Sequence, residues 1–415
     1  MKKVAFYTLG CRVNQYETNA FAEEFMRQGW QVCDFEDECD LYVINTCAVT
    51  GESARKSGQM IRRAARKGKV AVVGCYSQLE PEKVSAIPNV IRVGGNINKQ
   101  AVVTGLEEAV FSFEGCGYEA LSLQGKTDLF SSCRAYVKIQ DGCPNRCSYC
   151  IIPTVRGPVR SRGLVDIINE CKTLVSAGYS EIVLTGIEVS AYDGAPLSEL
   201  VRAVSEVDGI RRLRLGSLTP TCIDRPLLEA MRDSKVFCPH LHLSVQSGCT
   251  RILNLMRRKY NKEQLQQRID LIREILPDTM LSADIITGFP TETEEEAKET
   301  LEFCVRNGFM HVHSFPYSSR PGTEAAAMKG QVDKSIRNRR NEALISATDG
   351  VREGLLDMRI GTKQEILTEK NVSGVCVGHT KDFIECTFEG DSKAGEYVLV
   401  NIISHQKGVL KGERV

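Results

Sequence analysis

Between residues 134 and 330 the chain repeats one pattern six times: a short apolar run followed by a longer polar-apolar stretch. The runs are 135–139, 181–185, 212–215, 240–245, 281–286 and 311–315, and apolar residues recur at helical spacing between them, as at 165–174 and 264–275. A helix that follows a strand packs back onto the sheet and delivers a parallel strand. Six such units predict an incomplete (β/α)6 barrel of the TIM kind, whose functional side chains sit just after the strands.

The flanks have other textures. Runs 4–9, 41–44 and 70–73 read as buried strands, and 20–26 carries Phe21 and Phe25 at helical spacing before Gly29 as a cap. That alternation predicts a doubly wound parallel sheet. A charged helical connector is expected at 332–358. Beyond it, short strands at 365–367, 375–377, 383–386, 397–400 and 408–410, punctuated by glycine, predict a small β-barrel of OB type. The expected α/β chain thus has three domains, at 1–120, 130–352 and 353–415. Hydrophobic residues make up 42% and charged residues 26%, a globular profile. The 53 basic and 53 acidic residues cancel, which neither names nor excludes a polyanionic partner. No apolar run is long enough for a bilayer, and the strand-like start lacks a secretory h-region, so no membrane partner and a cytoplasmic location are expected.

Seventeen cysteines in a chain expected to be cytoplasmic point to metal ligation or to buried packing. Cys143, Cys147 and Cys150 form C-x3-C-x2-C directly after the first barrel strand. Three thiolates on one short loop can converge on a single cluster. A [4Fe–4S] cube has four irons, which ordinary electron carriers cap with four cysteines, so three leave an iron open. A zinc site is the competing reading, although structural zinc wants four ligands and no histidine lies nearby. Unrelated core cysteines are the other. Cys11, Cys47 and Cys75 each lie one to three residues beyond an apparent strand of the first domain. In a doubly wound sheet those loops share the carboxyl edge, where ligands bind, so the three could meet. Buried structural cysteine remains the alternative there.

The loop from Asp141 to Cys150 resembles the signature of the radical S-adenosylmethionine (SAM) superfamily. The resemblance implies that SAM chelates the open iron and that an electron from the cluster splits its sulfonium into methionine and a 5′-deoxyadenosyl radical. It places Tyr149 beside the adenine and Gly186, Ile187 and Glu188 after the second strand in contact with SAM. Ser217, Gln246, Asp284 and Gly288, at the ends of the third to fifth strands, join them. After the third strand the chain reads Gly216-Ser217-Leu218-Thr219-Pro220, where relatives often carry Ser-Ser-x-Glu-Pro.

Wider motifs, Thr8 to Gln15, Asn45 to Thr50 and Gly74 to Gln78, together resemble the methylthiotransferase family, as does the domain order ending in a TRAM-like barrel. This resemblance implies a second [4Fe–4S] cluster on Cys11, Cys47 and Cys75, with another open iron that can hold sulfur. Two SAM molecules per turnover are implied, one as methyl donor and one as radical source. The implied partners are a tRNA anticodon stem-loop, a reducing electron-transfer protein and a sulfur source. The stretch from Cys150 to Arg162 and that from Gly10 to Thr18 most resemble the branch acting on threonylcarbamoyl-adenosine just 3′ of the anticodon. Arg156, Arg160 and Arg162 are expected to meet phosphate or the carboxylate of that base, or else to form surface salt bridges. Basic residues also crowd 55–69 and 337–340, supporting evidence for RNA at most. The rivals are an isopentenyladenosine or ribosomal-protein aspartate methylthiotransferase and, from another class, a non-catalytic iron–sulfur carrier or RNA-binding scaffold. The other eleven cysteines read mostly as small core residues.

Overall fold

The computed structural model describes every residue except 120, 127, 128 and 130–132. The domain ends expected at 120 and 130 therefore lie outside the described residues.

The first domain is a five-stranded parallel sheet of β1 (Lys3–Thr8), β2 (Gln31–Cys33), β3 (Leu41–Thr46), β4 (Val70–Gly74) and β5 (Val90–Val93), ordered β2-β1-β3-β4-β5. Every residue of β3 and β4 is buried, because helices cover both faces; that is why they read as continuous apolar runs. β2 and β5 carry no such run and give no comparable signal: they are short edge strands with half-exposed side chains. Helix α1 (Arg12–Arg27) turns Tyr16, Phe21 and Phe25 into the core, and α2 (Gly51–Ala65) covers the other face with Ile61, Ala64 and Ala65.

The second domain has six parallel strands in chain order, β6 (Ala135–Asp141), β8 (Glu181–Gly186), β9 (Arg212–Leu215), β10 (His240–Gln246), β11 (Met280–Thr287) and β12 (Phe309–Pro316). Between β9 and β10 the ladder thins to the parallel bridges Leu213–Phe237 and Leu218–Leu243. The two-residue strand β7 (Arg160–Ser161) runs antiparallel on the outer side of β6. This is the expected incomplete barrel. Helix Lys334–Asp357 fills the place of the charged connector and packs against β12.

The third domain is a closed barrel of β13 (Lys363–Val372), β14 (Val375–His379), β15 (Glu385–Glu389), β17 (Val409–Arg414) and β16 (Tyr397–Gln406), in that order round the barrel. Only β15 and β17 pair in parallel. Because the connector helix runs to Asp357, the barrel strands start ten residues after the expected boundary at 353. The barrel plugs the amino-terminal end of the larger one. Arg212, buried at the start of β9, donates to the carbonyls of His379 (3.0 Å) and Glu365 (2.6 Å), and Phe383 stacks between His240 and His379 with centroids 5.2 and 4.8 Å away. The carboxyl ends of the strands are thus left for the first domain and the site. Among the described residues no helix is long and apolar enough to cross a membrane.

Candidate active site

β1, β3 and β4 are neighbours in the sheet, so their carboxyl ends bring Cys11, Cys47 and Cys75 to one edge. Cys11 caps α1, Cys47 is buried directly after β3, and Cys75 opens the short helix α3 (Cys75–Leu79). Gly10 lies on Cys47: with φ at +98°, its backbone is in a region closed to most side chains, and a Cβ there would sit 2.8 Å from both Cβ and Sγ of Cys47. Gly10→Ala is expected to displace that thiol and to cost about 1–3 kcal/mol of stability through backbone strain. Iron content of the reconstituted variant and its thermal midpoint check this. Cys75 Sγ accepts from Arg156 Nε at 3.4 Å and from Asn96 Nδ2 at 3.6 Å. Cys11 lies within electrostatic reach of both Arg156 and the Cys75 thiol.

The second set is folded by its own backbone. Gly142, at φ +77°, lets the chain turn where a Cβ would fall 1.8 Å from the Pro158 carbonyl oxygen. Cys143 N–H donates to Gly157 O and Cys150 N–H to Cys147 O, both at 3.0 Å. Ser148 is tied to the barrel through Leu255 O at 2.7 Å, Met256 O at 3.2 Å and Ala325 N–H at 2.8 Å. The three thiols act electrostatically on one another. Burial pushes Cys143 up to about 11 and Cys150 up to about 12, so a metal must displace their protons on binding. Arg258 Nη1 donates to Cys147 Sγ at 3.4 Å.

The two sets share a donor chemistry: three thiols each, and one arginine N–H on one sulfur of each. Hydrogen bonds to sulfur and nearby charge are the means by which proteins tune iron–sulfur clusters. Among the described residues no three His, Cys, Asp or Glu side chains are close enough to hold a single metal ion. A cube asks for a wider spacing, because each thiolate caps a different iron.

The residues expected to hold SAM divide. Gly186 packs on Gln140, whose Oε1 accepts from the N–H groups of Ile187 (3.1 Å) and Glu188 (3.0 Å). The Glu188 carboxylate accepts from Asn145 in the cysteine loop (3.2 Å) and from Thr219 Oγ1 (3.0 Å). The chain's departure at Thr219 thus joins the third loop to the second. Ser217 bonds Ser244 at 2.7 Å, Asp284 pairs with His242 at 3.1 Å, and Gln246 closes β10 with φ at +69°. Tyr149 packs with Ile252, Met256, Phe289 and Tyr317. Gly288 stands apart from these: its N–H goes to Glu292 at 2.7 Å and its Cα packs against Arg337 of the connector helix.

The three arginines expected at the tRNA face inward. Arg156 is fully buried, with Nη1 on Glu17 Oε1 (3.1 Å) and Asp141 Oδ2 (3.2 Å) and Nη2 on Asn14. Arg160 is 8% exposed, donates to the carbonyls of Arg156 and Pro158, and stacks on Phe113. Arg162 pairs with Glu170. Docking of the first domain onto β6 encloses all three, so their expected contact with RNA gives way to a role between domains. Glu17 anchors that interface: it meets Lys99 at 2.6 Å, Lys138 at 2.9 Å and Arg156. Burial alone would raise its carboxyl, but the three cations hold it well below the usual range. Glu17→Ala is expected to cost roughly 3–5 kcal/mol, since it strands buried cations. Denaturant titration of the full chain measures it.

Sequence reasoning missed Arg258, Gln140 and Asn96. Arg258 lies in the run Arg257-Arg258-Lys259, which reads as a solvated face, and no periodicity separates the one inward member.

The Radical SAM superfamily matches residues 137–304, and the uncharacterized protein family UPF0004 matches residues 3–94. The threonylcarbamoyladenosine tRNA methylthiotransferase MtaB of Bacillus subtilis (strain 168) is 37% identical, over 97% of this chain and 94% of its own length. Its counterpart in Aquifex aeolicus (strain VF5) is 35% identical, over 96% and 100%. A tRNA-2-methylthio-N(6)-dimethylallyladenosine synthase of the same organism is 32% identical, over 99% of this chain and 98% of its own. In fold, the chain is similar to the radical S-adenosylmethionine methyltransferase TsrM of Kitasatospora setae, with a TM-score of 0.59 at 13% identity, over 91% of this chain and 80% of that one. Two three-cysteine sets on the carboxyl edges of two parallel sheets, and relatives alike along nearly the whole length, place the chain in one family: it belongs to the radical SAM methylthiotransferases.

Proposed function

We propose that the protein places a methylthio group on C2 of N6-threonylcarbamoyladenosine, just 3′ of a tRNA anticodon, giving 2-methylthio-N6-threonylcarbamoyladenosine. The observation that carries this is the docking of the two cysteine-bearing edges: Ile151, next to Cys150, packs with Cys75 of the other domain, and Arg156 donates to the Cys75 sulfur. The substrate assignment is supported by relatives named for that nucleoside at 33–37% identity. The protein uses an iron–sulfur cluster and SAM; on our reading there are two clusters, one per cysteine set. When bound, they and SAM supply the electron, the radical and the sulfur.

The chain's own part is to hold and to exclude. Cys143, Cys147 and Cys150 leave one corner of their cluster free for SAM. Glu188, fixed by Asn145 and Thr219, and the Gln140-bound turn at Gly186 and Ile187 shape the pocket beside it. Tyr149, Ser217, Gln246 and Asp284 complete its wall. Gly288 has no part in that wall, its contacts being with Glu292 and Arg337. Cys11, Cys47 and Cys75 leave the second free corner for sulfur. An electron-transfer protein and a sulfur source serve the two.

A nucleoside digest of tRNA from cells lacking the protein tests the assignment. Loss of the methylthio form of threonylcarbamoyladenosine is the expected result. Loss confined to the methylthio form of dimethylallyladenosine would favour the second set of relatives and defeat it.

A further inference from the structure

The exposed face of α2 takes no part in the cysteine sets or in the contacts between domains. Residues 51–69 hold seven basic residues against one acidic, in a chain whose net charge is zero, so the remainder is net acidic. All seven are exposed. Four of them share two carboxylates: Arg55 and Lys56 lie 2.6 and 3.8 Å from Glu52, and Arg63 and Lys67 lie 2.5 and 2.9 Å from Glu36. Arg62, Arg66 and Lys69 form no ion pair among the described residues. Arg55, Arg62 and Arg66 fall at i, i+7 and i+11 and so line one stripe of the helix, with Lys69 continuing it past the end.

That stripe is unfavourable to the isolated protein. Like charges at i, i+4, as in Arg62 with Arg66 and Arg63 with Lys67, destabilise a helix by about 0.2–0.5 kcal/mol per pair. The helix dipole eases Arg62 and Arg63 in the last turn, but Arg55 and Lys56 share the one carboxylate of Glu52, so the face keeps positive charge without full compensation. A partner of opposite charge would supply it. The helix also starts at the site. Gly51, its first residue, is four beyond Cys47, and its N–H reaches Ser318 Oγ at 3.4 Å in the loop after β12. Arg320, in the same loop, acts electrostatically on Cys47. The stripe from Arg55 to Arg66 therefore leads away from the Cys47 loop over about 17 Å of helix axis.

We propose that this face of α2 is the rail on which phosphate backbone flanking the target nucleotide, several nucleotides away, rests, contacted by Arg62, Arg66 and Lys69. The proposal deepens the tRNA reading and rests on it. Phosphate contacts position an RNA without reading its sequence, and each contributes roughly 0.7–0.9 to the slope of log affinity against log salt.

The test uses the cluster-loaded full chain and a fluorescent anticodon stem-loop RNA, with anisotropy read across a salt series. The variant is Arg62→Glu with Arg66→Glu and Lys69→Glu. Lys172→Glu, exposed on the second domain's outer surface, serves as the control. The triple variant is expected to bind at least tenfold more weakly at low salt, with a slope flattened by about 2 for three lost contacts, while the control matches the parent. Equal affinity and slope in triple variant and parent would overturn the rail and leave the tRNA reading standing. Weaker binding with an unchanged slope would overturn it too, because the loss would not come from phosphates. A parent that binds no RNA would sink the tRNA reading itself. Thermal midpoints of all three proteins show that the charge changes left the fold intact.

Discussion

With Cys147 replaced by alanine, the anaerobically reconstituted protein is expected to release no measurable 5′-deoxyadenosine from SAM. The C-x3-C-x2-C loop holds its thiols by backbone geometry, with Cys143 and Cys150 each fixed by one N–H bond, so no neighbouring cysteine can take the vacant place. Cys249, buried and packed beside Tyr149, is the nearest candidate in that cluster of side chains, yet its thiol faces Glu296 at 3.8 Å. Loss of a group that merely supports a metal ligand costs about 10–100-fold, and loss of a ligand costs more. Arg258 would also lose its sulfur acceptor, keeping only Tyr260 Oη and the Ser244 carbonyl. The measurement is product formation with a chemical reductant, alongside iron analysis. Cleavage within tenfold of the parent would show that Cys147 is not a ligand.

Cys47→Ala is expected to separate the two halves of the reaction. Cys47 lies in the first domain, directly after β3, whereas the residues proposed to hold SAM all follow or flank strands of the second domain. Cleavage of SAM should therefore continue at a measurable rate, whereas methylthiolated nucleoside should fall below detection. About four irons should be lost with it, one cube's worth. The substitution removes a side chain only 5% exposed, but alanine fits where a thiol did, so the fold should hold. Chromatography of the RNA digest and of the SAM products in one reaction reads both outcomes. A normal yield of methylthio product would refute the role given to the first-domain cysteines.

The parts of this architecture that were legible in the sequence are those fixed by local chemistry. β3 and β4 announce themselves because both faces of a parallel sheet are covered, and the six barrel strands because amphipathic helices separate most of them. The cysteines are legible because no other side chain does their work at that spacing. Arg156 is the instructive failure. In sequence it stands with Arg160 and Arg162 in a stretch broken by Pro153, Gly157 and Pro158 and reads as surface charge. Its partners, Glu17 and Asn14, lie on a helix more than a hundred residues earlier, and Glu17 itself occupies a position that any solvated glutamate could fill. Only docking of one domain on the other reveals the pairing. Arg258 stayed hidden for another reason: its acceptor Cys147 lies in the same barrel, but nothing in the run Arg257-Arg258-Lys259 marks the middle residue as inward. β2 and β5 gave no signal because edge strands of three and four residues show no periodicity.

The most direct measurement is iron and acid-labile sulfide on anaerobically purified protein, combined with Mössbauer spectra before and after SAM is added. The account predicts about eight irons per chain in two cubes, each with one iron that no cysteine binds, and a changed environment at one such iron on adding SAM. About four irons, or two cubes whose irons are all held by protein side chains, would contradict it.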